Sequence, residues 1–160
     1  MDEEDITTRI VAFLRNVGIA VEETALADDG FLPAIVVREG TLFYDPSRSP
    51  FHPGDLLHEG GHLAVTDPVL RPTITDFGGF QSAKADEGAA MCWSYAAALA
   101  AGIDPRVVFH DHGYKGEGAQ LAGAYASGRH VGLPMLQLYG LAARPGEDHP
   151  PFPAMKRWLR

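Results

Sequence analysis

One segment limits what this chain can fold into more than any other. Residues 83–103, AKADEGAAMCWSYAAALAAGI, present alanine and other apolar side chains on nearly every side of a helical projection. A helix that is apolar all round must be buried all round. The spacing predicts a helix of about 17 residues at the centre of the fold, packed closely by its neighbours. Its first turn nevertheless carries Asp86 and Glu87. Acids suit the first turn because of the helix macrodipole. An ionised carboxylate in so apolar a helix is costly, however, unless it is paired or bound to a cation.

A second helix offers a reason for such a carboxylate. Residues 56–65 read LLHEGGHLAV. Positions four apart lie one turn above each other on the same helical face, so His58 and His62 are able to aim their imidazoles at one ion. Glu59 stands beside them, offset by about 100°. A catalytic zinc takes three protein ligands and keeps a position open for water. Gly60 and Gly61 cost roughly 1 kcal/mol each relative to alanine in a helix interior. Bare positions there imply close approach of another backbone or of substrate. The bland alternative is a core helix with two incidental histidines. Leu56, Leu57, Leu63 and Val65 suit a buried helix under either reading.

Two histidines leave one ligand to find. A ligand six residues beyond His62 is ruled out, because Pro68 stands there. The other solution is a carboxylate on a packed second helix. Glu87 fits it best, with Asp86 and Asp76 as alternatives.

The remaining elements follow from local pattern. Residues 5–17 place Ile6, Ile10, Phe13, Leu14 and Val17 at helical spacing, and Gly18 is suited to close that helix. FLPAIVVREGTLFYD reads as a hairpin turning at Arg38-Glu39-Gly40, with Pro33 pointing to an edge or irregular entry. Asp55 is the expected cap of the helix that ends near Asp67-Pro68. Short helices are predicted around 117–127 and 133–143, followed by an irregular tail with a last basic turn. The order is helix, hairpin, motif helix, buried helix, short helices. This is an α+β layout in one domain, residues 1–160.

HEGGH followed by DEGAAMCWSYAAAL resembles the gluzincin pattern of zinc metallopeptidases. The layout over residues 30–101 is similar to the minimal zincin-like members, including the ImmA/IrrE-like peptidases. The resemblance implies a motif helix packed on a glutamate-bearing helix. His58, His62 and Glu87 would bind Zn2+, and Glu59 would be the general base. The pattern often has an acid four residues after its ligand glutamate, as partner to a histidine. Here that position is Met91.

Hydrolysis also needs a donor for the developing oxyanion. FHDHGYKGEG offers His110, His112 and Tyr114, of which His112 and Tyr114 are carried as catalytic candidates. His110, Asp111 and His112 form a weak candidate for a second metal site. His130 is a more remote candidate, and His52 and His149 read as exposed loop residues. Trp93 and Tyr95 read as core, Cys92 as an inert buried thiol, and TLFYD (41–45) as an edge strand for an extended peptide. Gly78-Gly79 lack the Lys-Ser/Thr of a phosphate loop.

Composition narrows the partners. The 160 residues carry 21 acidic and 13 basic side chains, net −8, without a basic cluster. That argues against nucleic acid and anionic membrane. MDEEDITTRI lacks the features of a secretory signal, and one cysteine allows no intrachain disulfide. The expectation is a cytoplasmic zinc-dependent hydrolase, a small metallopeptidase acting on a peptide or protein. The alternative is a non-catalytic metal-binding or regulatory domain. Imidazole and carboxylate also suit iron, nickel or manganese.

Overall fold

The computed structural model describes residues 1–27, 34–75 and 84–160. Pro33, Asp76 and Gly78-Gly79 lie outside the described residues.

Helix α1 spans Glu3–Val17. Asp2 caps it by accepting from the Asp5 amide at 2.9 Å, and Glu3, Glu4 and Asp5 complement the macrodipole. Gly18, at φ 101°, closes the helix in the left-handed conformation expected there. The stripe of Ile10, Val11 and Leu14 faces the core.

Three strands follow: β1 (Val21–Glu23), β2 (Ile35–Arg38) and β3 (Thr41–Tyr44). The predicted hairpin is β2–β3, with Ile35 opposite Tyr44 and Arg38 opposite Thr41. Its two-residue turn, Glu39-Gly40, has φ of 47° and 73°, the twist that matches the flanking strands. The edge role expected of residues 41–45 is overturned. β1 pairs in parallel with β3, Val21 opposite Leu42, giving the order β1-β3-β2 with β3 in the centre. The three residues of β1, Val21-Glu22-Glu23, show no alternation in sequence or burial, and only pairing with β3 makes them a strand. β2 is therefore an edge strand among the described residues.

Helix α2 spans Pro53–Val65 and α3 spans Lys84–Ala100. Asp55 is not the cap of α2. His52 occupies that position and Pro53 the first turn, where its missing N–H is harmless. Asp55 turns its carboxylate elsewhere, as described below. α2 packs more extensively on α3 than on any other element, with α1 next. The two glycines explain how. A Cβ on Gly61 would stand 2.7 Å from the Ala90 carbonyl oxygen, and one on Gly60 2.7 Å from Leu14 Cδ2. The bare positions let the α3 backbone and the α1 side chains close on α2. As its composition requires, α3 is buried from Ala89 to Ala98 except at Met91, which is half-buried.

Helices α4 (Gly118–Ala126) and α5 (Leu133–Leu138) complete the fold. α5 is shorter than predicted because Gly140, at φ 72°, turns the chain, and the Leu141 amide donates to the Leu136 carbonyl. The tail forms no helical basic turn. It runs along the core instead: the Trp93 indole donates to the Trp158 carbonyl at 2.9 Å, and both indoles flank Phe13. Arg71 and Arg160 then close the end of α2. The Arg71 guanidinium donates to the Leu63 and Thr66 carbonyls and to that of Arg160, while the Arg160 amide donates to Ala64. An N-terminal helix, a small mixed sheet and two packed helices bearing His58, His62 and Glu87 make up the zincin-like minimal arrangement. Among the described residues no helix is long and apolar enough to cross a membrane.

Candidate metal centre

Where α2 meets the first turn of α3, three donor groups converge. His58 Nε2 lies 3.1 Å from Glu87 Oε1, His62 Nε2 lies 2.9 Å from Glu87 Oε2, and the two Nε2 atoms are 3.2 Å apart. Bond lengths to zinc of about 2.0–2.1 Å imply tetrahedral edges of roughly 3.3 Å. The short contacts use both Glu87 oxygens, and one donor atom from each of the three residues lies within 4.8 Å of the others, a grouping able to hold a metal ion once the donors draw together around it. The side chain of His62 is 7% exposed and that of Glu87 is 42% exposed, so the cluster opens to solvent on its α3 side. An open side is what a catalytic rather than a closed structural site requires.

The electrostatics favour a cation. Hydrogen bonds from His58 and His62 hold the Glu87 carboxyl well below the usual range, against the opposing effect of burial. Burial alone would lower the His58 pKa. The hydrogen bond to Glu87, with the fields of Glu59, Glu87 and Asp55, outweighs it and the pKa rises. A field that holds a proton on imidazole also attracts a metal ion. Burial pushes the Glu59 carboxyl above its ordinary value, with His58 and His62 pulling the other way. A carboxylate tuned upward is a better proton acceptor near neutral pH.

The centre lies in a cavity of about 810 Å³, within the range of small-ligand sites. Its walls include Ile35 at the start of β2, Glu59, and the loop bearing His110, His112, Tyr114 and Lys115. The structure distributes the loop candidates differently. The Tyr114 hydroxyl lies 2.9 Å from His58 Nδ1, with the two rings edge to face. His110 Nε2 lies 2.8 Å from Asp55 Oδ1, three residues before His58 on α2. His112 is exposed at the rim, and its ring stacks on His52. His52 also stacks on His110, with centroids 4.2 Å apart. His52 therefore belongs to the cavity and is not the free loop residue expected. Its position just before the motif helix was the one signal available.

The other candidates lie apart. Asp86 accepts from the Tyr139 hydroxyl at 2.9 Å and does not join the cluster. His110, Asp111 and His112 do not converge, since Asp111 is exposed and His110 faces Asp55. Among the described residues, only His58, His62 and Glu87 form a group of three potential ligands. His130 packs among Tyr125, Tyr95 and Phe152, and His149 meets the Pro150 carbonyl. Trp93 and Tyr95 are core residues, as expected. Burial pushes the Cys92 thiol up to about 12, so the thiolate is scarce at neutral pH.

No protein-family model matches the chain, and searches of curated proteins and of solved structures find no significant relative. The functional reading therefore rests on the site itself.

Proposed function

We propose that the protein is a zinc-dependent hydrolase of the gluzincin type, a small metallopeptidase acting on a peptide or protein substrate. One observation carries this reading: the His58, His62 and Glu87 donors converge while Glu59, from the same helix, lines the cavity they open into. His58, His62 and Glu87 hold the ion. Zinc, when bound, supplies Lewis acidity that acidifies water and polarises a carbonyl. Glu59 takes the proton from the attacking water and passes it to the leaving amine. Of the three loop candidates, Tyr114 is engaged with His58 and His110 with Asp55. His112 lines the cavity and is the oxyanion donor we assign. With Ala34 and Ile35 in the cavity wall, β2 is the strand we assign to pair with an extended substrate.

The test is metal content by elemental mass spectrometry combined with Glu59→Gln. Near one zinc per chain, with hydrolysis of a peptide library lost in the variant by about 10²–10⁴-fold or more, is expected. Unchanged turnover removes Glu59 from the role of base. Met91, in place of the acid that the resemblance leads one to expect, favours a second reading, a metal-binding or regulatory domain without turnover. Stoichiometric zinc with no cleavage by the unmodified protein supports that one.

A further inference from the structure

We infer that Tyr114 is a positioning residue, whose hydroxyl oxygen accepts the Nδ1–H of His58 and thereby keeps the Nε2 lone pair of that imidazole on the metal. The inference rests on the metal reading above. A neutral imidazole that ligates through one nitrogen carries its proton on the other, and the partner of that proton fixes both tautomer and ring orientation. In His58, Nε2 is the nitrogen facing Glu87 and His62, and Nδ1 is the one facing Tyr114 at 2.9 Å. The partner expected four residues after Glu87 is not available, because Met91 has no hydrogen-bonding carboxylate. The phenol thus performs from a distant loop the task an acid would perform from α3.

The backbone around Tyr114 supports the assignment independently. Tyr114 and Lys115 have φ of 53° and 55°, followed by Gly116 at 81°. Bulky residues enter the left-handed region rarely, and persist there when surrounding contacts over-determine them. Here the contacts are with the His58 ring on one side and the Phe109 ring, centroids 5.4 Å apart, on the other. Burial raises the Tyr114 pKa, with the charges of Asp55 and Glu87 adding to the effect, so the phenol stays protonated and neutral.

Tyr114→Phe removes the hydroxyl and keeps the ring contacts. Zinc affinity is measured by competition with a chromophoric chelator, alongside the thermal midpoint of metal-free protein. The expected result is an affinity lower by about 10–100-fold, with the metal-free midpoint lowered by only about 2–4 °C for the one hydrogen bond lost. Equal affinities in the two proteins overturn the positioning role and leave the metal site intact. A wild-type protein that takes up no zinc removes the metal reading and this inference together. Should the variant fold poorly, long-range ¹H–¹⁵N NMR of the zinc-loaded wild type decides. His58 with Nδ1 protonated and Nε2 bound to metal supports the inference; ligation through Nδ1 overturns it.

Discussion

In the α2–α3 pair, glycine stands inside a helix where propensity disfavours it. In the loop at the cavity rim, tyrosine and lysine stand in a conformation that favours glycine. Gly61 gives up helix propensity so that the backbone bearing His58 and His62 approaches the backbone bearing Glu87. Tyr114 and Lys115 give up backbone ease so that their side chains enter the cavity. Donor groups that must converge within a few tenths of an ångström are held on packed helices. Tyr114, which meets His58, and His110, which meets Asp55, come instead from a shaped loop. The difference shows a division of labour familiar in built sites, with precision on rigid elements and adaptation on loops.

The largest effect should follow from breaking the helix side of this comparison at a ligand. For the wild type, zinc at a thousandfold excess over its Kd should add about 4 kcal/mol of stability. For a chain of this size that corresponds to a rise in Tm of roughly 8–16 °C. In His58→Ala the rise should vanish, along with the bound zinc. A variant that still gains stability with zinc would show that the donors do not act together.

A smaller effect should come from Gly61→Ala. Alanine gains about 1 kcal/mol in helix propensity. The added Cβ, however, meets the Ala90 carbonyl oxygen at 2.7 Å, a backbone atom that moves only if the helices part. Overpacking of this kind costs about 1–3 kcal/mol. A lower Tm in calorimetry and weaker zinc binding are the expected outcome. A higher Tm would mean that α2 and α3 do not depend on that bare position.

The smallest effect should be Lys115→Gly. It relieves a left-handed residue but frees the unfolded chain, and the two contributions, each about 1 kcal/mol, nearly cancel. Chemical denaturation should place the change within about 1 kcal/mol of zero. A large loss would show that the Lys115 side chain holds the loop in place.

Much of the fold was legible where the signal was local. α1 was readable from its apolar stripe and Gly18, the hairpin from β-rich runs around Glu39-Gly40, and the burial of α3 from its alanines. The close approach at Gly60 and Gly61 was legible for a different reason, since a helix interior carries two adjacent glycines only against its propensity. β1 was hidden because Val21–Glu23 is too short to show a period. Its pairing turned β3 from the expected edge into the central strand. Asp55 departs from the expected cap because an acid near a helix start has a local use, as a cap, and a non-local one, as the partner of a distant residue, and its sequence neighbours cannot tell the two apart.

From the sequence alone came the spacing of His58 and His62, because 3.6 residues per turn places i and i+4 on one face wherever the helix lies. The need to surround α3 also followed from sequence, since apolar area must leave water whatever covers it. Tertiary structure decided which carboxylate completes the cluster, bringing Glu87 to the histidines and giving Asp86 to Tyr139. It also joined Asp55 to His110 and His58 to Tyr114, pairs 55 and 56 residues apart. No local periodicity encodes such pairs. They depend on how the loop after α3 packs against α2, which is settled by the shape of the whole core.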